Sequence, residues 1–207
     1  MTIFDNLIYC NGQAGIRLTG ASAGSPRANL INNTVVANGN RGIFIGTANT
    51  PSENAFLRNN LIQDNCRGNL QVDSASATGF DGGYNLVSPP TYTGVDAHPT
   101  DTAYDPITGG TLDRPAKFVE RAFCESVCAT PDRDAGEIPP QPVIELHPND
   151  FRLAQTIAGQ NPPNSLGVDG GDPTLAVDLR ARLNLRTTAS NDEPDGGRVD
   201  IGAHFPR

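Results

Sequence analysis

Residues 32–45 read NNTVVANGNRGIFI. Val and Ile favour strands, whereas Asn and Gly are depleted from them. The mixture becomes legible once two other stretches are laid beside it. Residues 4–18 read FDNLIYCNGQAGIRL and residues 59–72 read NNLIQDNCRGNLQV. Asn6, Asn33 and Asn60 fall at a constant spacing of 27, and so do Asn11, Asn38 and Asn65. The apolar positions keep the same step: Ile16, Ile43 and Leu70, then Leu18, Ile45 and Val72. ANLINN from Ala28 lies over AFLRNN from Ala55. A fourth, shortened copy is GGYNLV, in which Asn85, Leu86 and Val87 match Asn60, Leu61 and Ile62.

A period in the twenties built from short strands is the mark of a solenoid. The second copy holds three strand-like pieces, at 29–32, 34–37 and 42–45, and a Gly/Ser/Pro loop closes it. Three strands per coil, each paired with its equivalent in the next coil, make an all-β, single-stranded parallel β-helix. Coils stack at about 4.8 Å, so equivalent side chains lie over one another. A column of Asn can then hydrogen-bond amide to amide along the stack. The ladder residues are Asn6, Asn33, Asn60 and Asn85 in one column and Asn11, Asn38 and Asn65 in the other. Asn also tolerates the left-handed backbone of a tight corner, and Gly15 and Gly42 are expected to supply it at a second corner. The inward columns are Ile3/Leu30/Leu57, Ile8/Val35/Ile62/Val87, Ile16/Ile43/Leu70 and Leu18/Ile45/Val72. Asn32-Asn33-Thr34 matches a glycosylation sequon, but its place beside a ladder argues against use.

Composition agrees with a narrow core of small strands. Only 37% of the 207 residues are hydrophobic and 6% aromatic, while Gly (22) and Pro (17) mark frequent turns. Net charge is −8, with Lys117 the only lysine and no basic run, which argues against a nucleic-acid partner. No apolar run reaches the length of about 18 residues that a membrane-spanning helix needs. MTIFDNLIYC does not have the pattern of a signal peptide.

The repeated coil, residues 1–88, resembles the right-handed parallel β-helix family, the pectate-lyase-like fold. Further along, DFRLAQ from Asp150, SLGVDGGDP from Ser165, VDLRARLN from Val177 and GGRVDIGAHF from Gly196 resemble the C-terminal part of bacterial choice-of-anchor Q β-helix proteins. The match is one of pattern, since SLGVDGGD and VDLRARLN depart from the usual wording of that group. The resemblance implies an extracellular or cell-surface location more than an activity. Residues 89–146 leave the coil pattern and are Pro-rich, so they are expected to form an irregular insertion, with a short helix near 114–123. Residues 147–207 are expected to complete or cap the stack, with FRL, LGV and VDIGAHF as short strands. The first coil opens at Ile3, so upstream coils or another copy are expected to cover that end.

Enzymes of this fold resemble one another in using a groove on an outer face. The outward positions here are Tyr9, Val36 and Gln63 on one sheet and Arg17, Phe44 and Gln71 on another. They hold no carboxylate pair of the kind hydrolases need, and no catalytic residue is assigned. Tyr9, Arg17, Phe44, Gln63 and Gln71 remain candidates for polysaccharide contact. Acids gather instead near the end of the chain. Asp169, Asp172, Asp178 and Asp195 are candidate Ca²⁺ ligands in Gly-containing loops, with turn formation and pairing to Arg180, Arg182, Arg186 and Arg198 as the plainer reading. No other cofactor is implied. Cys124 and Cys128 are a candidate local disulfide in an oxidising compartment. Cys10 and Cys66 lie two coils apart, about 10 Å along the stack, beyond the Cα separation of about 7 Å that a disulfide spans. They are expected to stay reduced. The functional expectation is a non-catalytic structural or adhesive segment that contacts glycans. The rivals are a polysaccharide lyase or hydrolase with its catalytic coils elsewhere, and a fibre subunit stacking through its first coil.

Overall fold

The computed structural model describes residues 1–19, 28–46, 55–73, 79–88, 92–95, 102–103, 171–187 and 200–206. They are mostly short strands in parallel sheets, with one helix, α1 (Val177–Leu183). The first three coils each contribute three strands: β1 (Thr2–Phe4), β2 (Leu7–Tyr9), β3 (Ile16–Leu18); β4 (Ala28–Ile31), β5 (Thr34–Val36), β6 (Ile43–Ile45); β7 (Ala55–Arg58), β8 (Leu61–Gln63), β9 (Leu70–Val72). Then come β10 (Phe80–Gly83), β11 (Leu86–Ser88), β12 (Tyr92–Thr93) and β13 (Thr102–Ala103). The three sheets run β1-β4-β7-β10, β2-β5-β8-β11-β13 and β3-β6-β9-β12. Every strand thus pairs with its equivalent one coil away, which is the layout of an all-β parallel solenoid. The stack continues past residue 88, where the sequence pattern gives out: β12 pairs with β9 and β13 with β11.

The inward columns fall as the repeat predicts. Ile3 pairs with Leu30 and Leu30 with Leu57. Val35 sits between Ile8 and Ile62, and Ile62 pairs with Val87. These residues and the Ile16 and Leu18 columns form one dry core, with Leu30, Val35, Ile43, Ile45, Leu57 and Ile62 fully buried.

Both Asn ladders are present, and both have a direction. Asn6 Nδ2 donates to Asn33 Oδ1 at 3.0 Å, Asn33 to Asn60 at 3.0 Å, and Asn60 to Asn85 at 3.0 Å. Each acceptor oxygen also takes the backbone N–H of the preceding rung. The second ladder repeats this from Asn11 to Asn38 and from Asn38 to Asn65, both at 2.9 Å. It then ends on Asn69, whose Oδ1 accepts from Asn65 Nδ2 at 2.8 Å. Asn69 was not expected. It stands in for the rung that the shortened fourth copy lacks.

The corners differ from expectation in one respect. The left-handed residues are not the rungs but their immediate predecessors: Asp5, Asn32, Asn59 and Tyr84 before the first ladder, and Cys10, Ala37 and Asp64 before the second, all with φ between 53° and 60°. A single left-handed residue turns the chain and lets the next side chain enter the core. Gly15 and Gly42 do not take positive φ. They are small because the backbone passes too close for a side chain: a Cβ on Gly42 would lie 2.5 Å from Asn65 Nδ2 and 2.6 Å from Ile62 Cγ2.

The C-terminal residues pack against the side of the stack. The helix α1 lies on the outer face of the first sheet, where Leu183 and Leu175 join Ile31, Phe4 and Phe56 in a second apolar cluster. Residues 200–204 run along the left-handed corner. Asn32 Nδ2 donates to the Asp200 and Gly202 carbonyls, the Gly202 N–H donates to the Asn59 carbonyl, and the Ala203 N–H donates to Thr34 Oγ1. VDIGAHF was expected to be a strand. Over 200–204 its backbone groups bond instead to residues of the corner, and Gly202 takes φ 103°. What strand there is, β14 (Arg186–Thr187) with β15 (Phe205–Pro206), is antiparallel. Asn32 is fully buried, which rules its sequon out of use. Of the insertion expected over 89–146, residues 92–95 and 102–103 are described; its remainder, with the helix expected near 114–123, and the strands expected at FRL and LGV lie outside the described residues.

Asp5 closes this corner. Its Oδ1 accepts the His204 backbone N–H, and its Oδ2 pairs with Arg186. Burial raises its pKa above the ordinary carboxylate value, although His204 and Arg186 pull it back. A carboxyl with a raised folded pKa contributes stability below its unfolded value, and that contribution is lost as pH rises through the folded value. Asp5→Asn imitates the protonated form. The melting temperature of the parent minus that of D5N is expected to be largest near pH 4 and to shrink towards pH 7, measured by calorimetry.

The ladders carry a second expectation. Asn60→Ala leaves both Asn33 donors without their acceptor and removes the side-chain amide that donates to Asn85 Oδ1 and the Leu30 carbonyl. Urea unfolding should show a loss of about 3 kcal/mol, the scale set by several buried groups left unsatisfied.

Candidate functional site

Alternation along the strands gives each sheet one inward and one outward column. The outward face of the first sheet is covered by α1. That of the second is closed as well. Thr34, Val36, Leu61, Gln63, Leu86 and Ser88 are all buried there, and Gly202 sits against Thr34 and Leu61. The third sheet differs. Its outward column is Arg17, Phe44, Gln71 and Thr93, in register by pairing across β3, β6, β9 and β12. Arg17 and Thr93 are exposed, and Phe44 and Gln71 are half-buried.

Beside this column runs the turn that leads into the sheet. It adds Gln13 and Ala14 from the first coil, Asn40 and Arg41 from the second, and Arg67 from the third. Together they line an open groove of about 500 Å3. Three of the eight lining residues are arginines and none is an acid. In a chain of net charge −8 this is a local reversal of sign. Arg17 lies over the Phe44 ring, 5.3 Å from its centroid, so one guanidinium is held by cation–π contact. Arg67 is exposed and Arg41 half-buried. Guanidinium forks suit planar anionic groups, and the amides of Gln13, Asn40 and Gln71 suit hydroxyls. The groove can therefore hold an extended, hydroxylated, anionic chain.

Arg17, Phe44 and Gln71 were the sequence candidates that meet here. Arg41 and Arg67 were missed, because they sit in a turn and not at outward strand positions. Tyr9 is half-buried at the edge of the second sheet, away from the groove. Gln63 is 1% exposed and donates to Asp64, so the outward position read from its strand is not an open one.

The acidic candidates divide. Asp172 is buried and caps its own turn, accepting from the N–H and Oγ1 of Thr174 at 2.7 Å. Its other oxygen faces Arg58 Nε at 3.6 Å. Arg58 also pairs with Asp81 at 2.8 Å and stacks on Phe56 at 4.3 Å. This cation between two carboxylates fixes residues 171–174 to the stack. Asp178 is exposed on α1. Asp169 and Asp195 lie outside the described residues. Among the described residues no three His, Cys, Asp or Glu side chains gather as a metal-binding group.

The cysteines require a correction. Cys10 and Cys66 are both disulfide-bonded, not reduced. The reach argument weighed them only against each other, in a chain that has four cysteines. The candidate pair Cys124 and Cys128 lies outside the described residues. Among the described residues no helix is long and apolar enough to cross a membrane.

No protein-family model matches this chain, and neither a curated protein nor a solved structure matches it.

Proposed function

We propose that this chain is a segment of a right-handed parallel β-helix, related in pattern to the pectate-lyase-like and choice-of-anchor Q groups, that binds an anionic polysaccharide without cleaving it. The observation that carries the reading is the groove on the third sheet. It combines three arginines, an aromatic face and amides on the one outward sheet face whose side chains are not buried among the described residues. The two carboxylates brought close to one cation, Asp81 and Asp172, are bound to Arg58 and lie off this groove, which favours binding over hydrolysis. An extracellular or cell-surface setting fits the bonded state of Cys10 and Cys66, since disulfides persist in oxidising compartments. In that setting a stiff stack displaying a basic groove acts as an adhesive scaffold.

Titration calorimetry with a uronate oligosaccharide and a neutral one of equal length tests this. The uronate should bind and the neutral sugar should not, with affinity falling as salt rises. Arg41→Glu with Arg67→Glu should abolish binding. Phe44→Ala should weaken it about fivefold, the scale of one cation–π contact of about 1 kcal/mol. Equal binding of both sugars would remove the anionic reading. Unsaturated product absorbing in the ultraviolet would replace it with a lyase.

A further inference from the structure

Two of the four cysteines lie on the corner that turns the chain at the second ladder. Cys10 is the left-handed residue before Asn11, with φ 55°, and Cys66 directly follows Asn65. Both are half-buried at the rim of the stack, and both are disulfide-bonded.

The stack keeps them from each other. A whole coil lies between: the Gly39 N–H donates to the Asn11 carbonyl at 2.7 Å, and the Cys66 N–H donates to the Asn38 carbonyl at 2.9 Å. The rungs repeat that order, with Asn38 bonded to Asn11 on one side and to Asn65 on the other. Two steps of the stack are about 10 Å, whereas the Cα atoms of a disulfide lie within about 7 Å of each other. Closing the gap would require the second coil to leave the stack, yet the Ala37 N–H is held on the Gln63 carbonyl. Within this chain the remaining cysteines are Cys124 and Cys128. A bond between those two would leave Cys10 and Cys66 only each other. Four peptide steps span about 6 Å when helical and about 13 Å when extended. The separation of the two corner cysteines falls inside that range, so one short segment can meet both.

We propose that Cys10 and Cys66 form two separate disulfides, one each with Cys124 and Cys128, which staple the segment CESVC across three coils at the second-ladder corner. In each bond two thiols lose two protons and two electrons as one S–S bond forms. The acceptor is a disulfide oxidant, which leaves as two thiols. The bonds give the second corner what residues 200–204 give the first, a distant piece of chain fastened across successive coils. They also flank the groove, since Gln13 lies three residues after Cys10 and Arg67 directly after Cys66. The pairing does not rest on the glycan reading.

A peptide map of the unmodified chain tests it. Thiols are alkylated in denaturant, and the chain is cut with trypsin without reduction. The four cysteines then fall in peptides 1–17, 59–67 and 122–133. The expected product is one species joining all three, four hydrogens lighter than their sum, which separates on reduction. A species joining only 1–17 and 59–67, with 122–133 closed on itself, overturns the proposal. So does alkylation of any of the four. A second measurement uses Cys124→Ser with Cys128→Ser, with protected Val35 and Ile62 amides reporting an intact stack. It should show two titratable thiols per chain against none in the parent. No titratable thiol in that folded variant would mean that Cys10 and Cys66 reach each other, and the proposal would fail. The peptide map decides alone where the variant does not fold.

Discussion

The hydrogen bond from one buried side-chain amide to the next, repeated at every coil, constrains the rest of this molecule. Carbonyl and amide groups inside a dry core must find partners, and here the rungs find them chiefly in the neighbouring coils. Equivalent residues must therefore stack within hydrogen-bonding distance. This fixes the step at 27 residues from Asn6 through Asn33 to Asn60. The step from Asn60 to Asn85 is 25, yet the bond is still 3.0 Å. The two residues are lost between the strands that close one coil and open the next, where no rung depends on the length. A slip of one residue in any strand would break the amide-to-amide bonds and turn the core outward.

From that constraint the surface follows. If inward positions are set by the ladders and the apolar columns, the outward positions are set as well. Two of the three outward faces are buried: one under α1, the other with Gly202 against Thr34 and Leu61. The third keeps Arg17 and Phe44 in contact and adds Arg41 and Arg67 from the adjoining turn. Binding chemistry is thus placed on residues that the stack itself does not require. The groove could change its side chains without disturbing a rung.

Legibility in the sequence divides along the same line. What repeats could be read: the ladders, the four inward columns, and Arg17, Phe44 and Gln71 as one outward row. What occurs once could not. Asn69 replaces a missing rung from within its own coil, so no 27-residue spacing points to it. The left-handed residues lie one place before the rungs, where Asp, Asn, Tyr, Cys and Ala alternate and mask a shared backbone. Gly42 looked like a corner because glycine permits one, whereas its role is to leave room for Asn65 and Ile62. Gln63 was outward by alternation but is buried, since alternation sets which way a side chain points and not what lies over it. The bonded state of Cys10 and Cys66 was missed for the same reason: a pairing rule local to the stack was applied to residues whose chemistry need not be local.

A stack in which each coil touches only its neighbours gains stability coil by coil and can fray from either end. Residues 200–204 change that. They reach Asp5 in the first coil, Asn32 and Thr34 in the second, and Asn59 in the third. Arg186 adds its own pair with Asp5. The sequence separations run from 143 residues (Asn59 to Gly202) to 199 (Asp5 to His204), so these contacts join distant parts of the chain. The corner that turns each coil is also the line along which the C-terminal segment binds. Left-handed residues direct their own side chains outward while sending the rungs inward. One backbone feature therefore serves both the repeating core and a contact that joins three coils into a cooperative unit.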